Sequence, residues 1–158
     1  MYGRQPMRVV LDSQLRMPPD ARMLAVEGQT LIFQADGKVD MNVVDALIRP
    51  GVRVERGGGL SGQVDIISLL DRLAQLEVNE LLVEAGPALA GAFMTGNHCD
   101  ELIVYIAPKI LGSTARRAFD VPSPSTLLNS KIWKTFSIDQ LGDDLKLVLK
   151  SKNSFSDK

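Results

Sequence analysis

Glu84 is the first residue that could do chemistry. It closes the apolar run Leu81, Leu82 and Val83 and is followed by Ala85, Gly86 and Pro87 and then by the small-residue segment Ala88, Leu89, Ala90, Gly91 and Ala92. The pattern reads as a strand, a tight turn and a helix start. The first N–H groups of a helix have no partner inside it and carry partial positive charge, so such a turn attracts anions. Pro87 suits the first helical position, where a missing N–H is no loss, and Gly86 lets the backbone come close to a ligand. Two readings stay open: a seat for a flat or phosphorylated ligand, or an ordinary turn whose small residues let the helix pack on a sheet. Glu84 presses the first reading, because a carboxylate at the end of a buried strand needs a partner or a ligand to offset its desolvation.

A second candidate lies early in the chain. Arg8 to Asp12 (RVVLD) is a compact β-branched run, and Ser13 follows it at the point where strands of an α/β sheet commonly meet a crevice. Its hydroxyl is either a capping group in a turn or a contact offered to a ligand. Glu84 and Ser13 are thereby candidates for the same crevice. His98 and Cys99, the one histidine and the one cysteine, sit side by side in the polar turn GNHCD. Neighbouring side chains in a turn diverge, so the pair reads as an exposed imidazole and an ordinary thiol. The single cysteine excludes an internal disulfide, and so few soft ligands argue against a metal centre. Arg56 to Gln63 (RGGGLSGQ) holds four of the 13 glycines but lacks the lysine and hydroxyl of a P-loop, and reads as a flexible connection. Arg116 and Arg117 could clamp an anion, but read first as part of a solvated loop.

The elements that must position these residues follow from periodicity. Thr30 to Ala35 and Val52 to Glu55 read as short strands, Met41 to Ile48 as a helix closed by Pro50 and Gly51, and Asp65 to Glu77 as a helix with Asp65 as its cap. The stripe Ile66, Leu69, Leu70, Leu73 and Leu76 is a core face. Glu101 to Ala107 is apolar on both faces, the pattern of an interior strand covered on either side. Gly112 to Ser130 is loop-like, and Thr135 to Leu141 with Leu145 to Lys150 reads as a hairpin. Alternating strands and helices that finish in a hairpin describe an α/β sandwich with a mainly parallel sheet and an antiparallel edge.

Composition narrows the classes. The chain has 158 residues, 45% of them hydrophobic, and its 18 Lys+Arg against 19 Asp+Glu leave a net charge of −1. Such a balance gives no general attraction to nucleic acid or to an anionic membrane. No apolar run approaches the length of a membrane span and no signal peptide opens the chain, which makes the cytoplasm the expected location.

The stretches RQPMRVVLDSQLRMP (Arg4 to Pro18), NELLVEAGPALAGAFM and DELIVYIAPKILG (Asn79 to Gly112), with their spacing, closely resemble the C-terminal reductase domain of the bifunctional riboflavin-biosynthesis deaminase/reductase. The resemblance runs from about Arg4 to Lys150. It implies a dihydrofolate-reductase-like three-layer sandwich that uses NADPH to reduce the ribosyl group of 5-amino-6-(5-phosphoribosylamino)uracil to ribityl. It further implies that Ser13 contacts NADPH, that Gly86, Pro87, Ala88, Leu89, Ala90, Gly91 and Ala92 hold the dinucleotide, and that Glu84 contacts the substrate. The family often carries two glycines after the glutamate, where this chain has Ala85 and Gly86.

The family's first strand, its lysine and an arginine-bearing substrate segment have no counterpart before Met1. The expectation is a partial reductase domain over residues 1–150 followed by a polar tail over 151–158, with cofactor-binding elements retained, little turnover and a sheet edge that favours homo-oligomers. A catalytically silent NADP(H)-binding or structural remnant, and a pteridine-type reductase of the same fold, are the competing expectations.

Overall fold

The computed structural model describes residues 5–35, 37, 40–58, 62–123 and 133–151. The chain divides into two compact units, Met1–Leu81 and Leu82–Lys158.

The first unit is a parallel sheet in the order β1 (Arg8–Leu11), β2 (Thr30–Ala35), β3 (Val52–Gly57), with α1 (Met41–Leu47) between β2 and β3, and α2 (Ile66–Gln75) after β3. These elements match the sequence reading closely. Every residue of β2 is buried, as expected of a middle strand covered on both faces. Alternation along β2 puts Ile32 on one face, where it joins Leu15, Leu24, Val44, Leu47 and Val52 in one apolar cluster. Phe33 points to the other face, and its ring lies where a side chain on Gly57 of β3 would have to go. Leu69 and Leu73 of α2 are buried, and the Arg72 guanidinium ties that helix to β3 through both carboxylate oxygens of Glu55, at 2.5 and 2.9 Å.

Both helices start as their sequences direct. The Asp40 and Asp65 side chains accept from the N–H groups of Asn42 and Ser68, caps that typically contribute about 1 kcal/mol each. Helix α2 ends with Glu77 in the left-handed region (φ 59°), while the N–H groups of Glu77 and Val78 return to the carbonyls of Ala74 and Leu73. This is the paired closure of a Schellman end, with a glutamate where glycine is the usual occupant.

The second unit contains α3 (Pro87–Thr95) and an antiparallel sheet in the order β4 (Glu101–Ile106), β6 (Asp144–Ser151), β5 (Trp133–Leu141). Strands β5 and β6 form the expected hairpin. Its two-residue loop opens on Gly142 at φ 63°, the position at which a type II′ turn calls for glycine. A register shift between Thr135 and Ser137 bends β5, and the Lys150 ammonium lies 4.0 Å from the centre of the Phe136 ring.

Two expectations are corrected in this unit and at its boundary. Leu81 to Glu84 belongs to no strand, and Leu81, Leu82, Val83 and Glu84 are exposed. An extended apolar segment becomes a strand only when a neighbour completes its ladder, and none of the described strands pairs with it. Among the described residues strand β4 pairs with β6 alone and lies at an edge, with Ile103, Tyr105 and Ile106 exposed, rather than as an interior strand covered on both faces. The 151–158 tail lies outside the described residues beyond Ser151, as do residues 124–130 of the long loop.

Candidate functional site

Helix α3 begins where the sequence places it, with Pro87 in its first turn and Gly86 as N-cap in extended backbone (φ −70°, ψ 170°). Gly86 brings no side chain to cap the end, and the first bond closing the helix runs from the Ala90 N–H to the Gly86 carbonyl, 3.1 Å. The N–H groups of Ala88 and Leu89 therefore have no partner within the helix. No described residue comes within 4 Å of the position of a side chain on Gly86, and Glu84, Ala85, Gly86, Ala88 and Ala92 are all exposed. This end of the helix is electropositive, unblocked by any described residue and flanked by a carboxylate, an arrangement able to receive a phosphate.

Gly91 has a different role from its neighbours. It is buried, and a side chain there would run into the backbone of Asp120, whose N–H donates to the Pro87 carbonyl at 2.9 Å. The glycine is required by this crossing of the chain over α3, which closes one side of the helix and leaves the other open. The far end of α3 closes as α2 does. Asn97 takes φ 61°, and the N–H groups of Asn97 and His98 return to Met94 and Phe93. His98 and Cys99 are half-buried parts of this closure, and the Cys99 thiol donates to the Glu101 carbonyl at 3.3 Å. Among the described residues no group of three or more His, Cys, Asp or Glu could hold a metal ion.

Burial does not explain Glu84. Its apolar lead-in suggests the end of a buried strand, but the segment before it is exposed and so is the carboxylate. Its interest lies in its position beside the open helix end, not in desolvation.

In the first unit, Ser13 is half-buried just past β1. The preceding carboxylate of Asp12 is occupied by the Met17 N–H at 2.7 Å, whereas the Ser13 hydroxyl has no hydrogen bond with the described residues. One buried polar group escaped the sequence reading. Gln34 of β2 is 2% exposed, and its Oε1 has no hydrogen-bond partner among the described residues. The signal was there to find: a carboxamide in the otherwise apolar run TLIFQA. The other buried polar residue, Thr30, is satisfied by the Arg8 guanidinium at 3.1 Å. Glu55 is held below its ordinary pKa by its hydrogen bonds with Arg72, which outweigh burial. That pair joins β3 to α2 and is structural.

Residues 1–147 match the family model described as the RibD C-terminal domain. The riboflavin biosynthesis protein RibD of Buchnera aphidicola subsp. Baizongia pistaciae is 36% identical over 97% of this chain and 40% of its own length. The 5-amino-6-(5-phosphoribosylamino)uracil reductase of Buchnera aphidicola subsp. Acyrthosiphon pisum is 30% identical over 94% of this chain and 69% of its own. Among solved structures, RibD of Acinetobacter baumannii, form 2, superposes with a TM-score of 0.76 at 28% identity, over 93% of this chain and 38% of that one. The chain thus spans about two fifths of the RibD relatives it matches.

Proposed function

We propose that this chain, which belongs to the RibD C-terminal domain family, is a reductase of riboflavin biosynthesis that uses NADPH to convert the ribosyl group of 5-amino-6-(5-phosphoribosylamino)uracil to ribityl. A reductase family implies a nicotinamide cofactor, and its chemistry is delivery of a hydride. The observation that carries the reading is the open, uncapped start of α3 directly after Glu84. The N–H groups of Ala88 and Leu89, with Gly86 and Pro87 shaping the turn, take a phosphate of the dinucleotide. Ala90 and Ala92 continue the small-residue segment, and Gly91 keeps the helix in place through its contact with Asp120. Ser13 offers its hydroxyl to the cofactor, and Glu84 orients the substrate by hydrogen bonds. The hydride acceptor is the sugar carbon bearing the amine, in its open-chain imine form.

The protein acts in the cytoplasm, in keeping with biosynthetic relatives and with the finding that no helix among the described residues is long and apolar enough to cross a membrane. Homo-oligomers are part of the same proposal, since β4 and β5 each leave one ladder edge that pairs with none of the described strands. A second reading, dinucleotide binding without turnover, is favoured by one observation: the segment leading to Glu84 pairs with none of the described strands and the carboxylate is exposed. Purified chain given NADPH and the substrate separates the two. Oxidation of the nicotinamide with formation of the ribityl product supports the reductase. Saturable binding without product supports the second reading, and absence of binding refutes both.

A further inference from the structure

Strand β1 stops at Leu11, at the carboxyl end of a parallel sheet, which is where α/β sheets meet ligands. The chain then turns at once through Asp12, Ser13, Gln14 and Leu15, a turn closed by the Leu15 N–H donating to the Asp12 carbonyl at 3.2 Å. The turn contains no glycine, and Leu15 sits in the left-handed region at φ 50°, a conformation that costs a branched side chain steric energy and that glycine would adopt freely. Two anchors hold it there. The first is the core: Leu15 is 5% exposed and packs in the cluster with Leu24, Ile32 and Leu47. The second is Asp12, whose polar groups all fix backbone. Its N–H donates to the Phe33 carbonyl at 3.0 Å and carries the ladder with β2 one residue past the strand, its carbonyl closes the turn, and its carboxylate accepts from the Met17 N–H at 2.7 Å. Between the anchors stand Gln14, which is exposed, and Ser13, half-buried with a hydroxyl that bonds to no described residue. A turn that only reversed the chain has no need of a strained leucine and a fully occupied aspartate. Strain that its surroundings hold in place is the mark of backbone fixed for contact.

We propose that Asp12 is a positioning residue for the cofactor: by locking the turn from Asp12 to Leu15 it holds the Ser13 hydroxyl at the carboxyl end of β1, ready to donate to an oxygen of the dinucleotide. Asp12 itself touches no part of the ligand. The inference rests on the proposed contact between Ser13 and NADPH and adds to it the residue that keeps that contact in place. The gain lies in preorganisation. A turn fixed before binding spares the complex the entropy of ordering it, so the serine contributes its hydrogen bond with little loss.

The test measures the dissociation constant of NADPH by calorimetry, together with the melting temperature of the ligand-free chain, for wild type, S13A, D12A, D12N, Q14G and the double variants D12A/S13A and Q14G/S13A. Binding of NADPH by the wild type is the premise; its absence overturns the cofactor reading and the inference together. Given that binding, S13A weakens NADPH about three- to tenfold at an unchanged melting temperature. D12A frees the Met17 N–H and weakens NADPH by a similar factor, and D12A/S13A is no weaker than S13A, because Asp12 acts through the serine. D12N still offers an oxygen to the Met17 N–H and keeps most of the wild-type affinity. Gln14 is exposed, so Q14G loosens the same turn without touching the core and remains informative where D12A fails to fold. It weakens NADPH about two- to fivefold alone and has no effect in the S13A background. A merely structural aspartate gives a lower melting temperature in D12A at unchanged affinity. That result, unchanged affinity in S13A or Q14G, or additive losses in either double variant overturns the inference and leaves the nicotinamide-cofactor reading standing.

Discussion

Replacing Gly91 by Ala sets two effects of opposite sign against each other. Within a helix, alanine is favoured over glycine by about 0.8–1.0 kcal/mol, so G91A at an exposed site would stabilise the chain. Here the new methyl group meets the carbonyl of Asp120, a backbone atom. That segment cannot move aside freely, because the Asp120 N–H is bound to the Pro87 carbonyl at 2.9 Å in the first turn of the same helix. Overpacking of this kind costs about 1–3 kcal/mol, and more where backbone must shift. The net expectation is destabilisation by about 1–2 kcal/mol. In urea this lowers the unfolding midpoint by roughly 0.5–1 M for a typical slope. G86A is the matched control, because its side chain meets no described residue and its φ of −70° suits alanine. Stability should change by no more than about 0.5 kcal/mol, while NADPH affinity falls as the methyl group crowds the approach to the Ala88 and Leu89 N–H groups. A midpoint that rises in G91A, by the amount helix propensity predicts, would refute the assigned crossing of Asp120 over α3.

Other outcomes follow from single contacts. E77G should stabilise the chain by about 1 kcal/mol in chemical denaturation, since Glu77 occupies a left-handed position at the end of α2 that glycine adopts without strain. L69A, which empties a site 1% exposed, should destabilise by about 2–5 kcal/mol. The Glu55 carboxyl is held below its ordinary value of 4.5 in the folded chain, so its pairing with Arg72 contributes stability above that value and loses it as pH falls through the lowered folded pKa. Unfolding midpoints measured down the acid range should therefore fall less steeply in E55Q than in the wild type, and an identical acid limb would contradict the pairing.

The local elements were legible because their signals are local. The apolar run Thr30 to Ala35, the stripe of α2 with its Asp65 cap and the hairpin turn at Gly142 all appear within a few residues of where the sequence puts them. The errors concern partners. Leu81 to Val83 has strand composition, but a ladder is made by a neighbour, and no periodicity reveals whether one is there. Strand β4 reads as interior because both faces are apolar, yet among the described strands it sits at an edge. The site was legible in its outline, Glu84 and the turn through Gly86 to α3. The distinction between Gly86, which is open, and Gly91, which is closed by Asp120, depends on a contact across 29 positions of sequence (120 − 91) and was invisible. Gln34 was visible as a composition anomaly, but its lack of a partner among the described residues was not.

The claim that this chain reduces a phosphoribosyl pyrimidine is tested most directly by following the transferred hydrogen. Purified chain is incubated with NADPH deuterated at the transferable position and with 5-amino-6-(5-phosphoribosylamino)uracil, and the product is weighed by mass spectrometry. A ribityl product carrying the label is the predicted result. NADPH that binds saturably while the substrate is recovered unreduced and unlabelled would contradict the reductase and leave a dinucleotide-binding protein in its place.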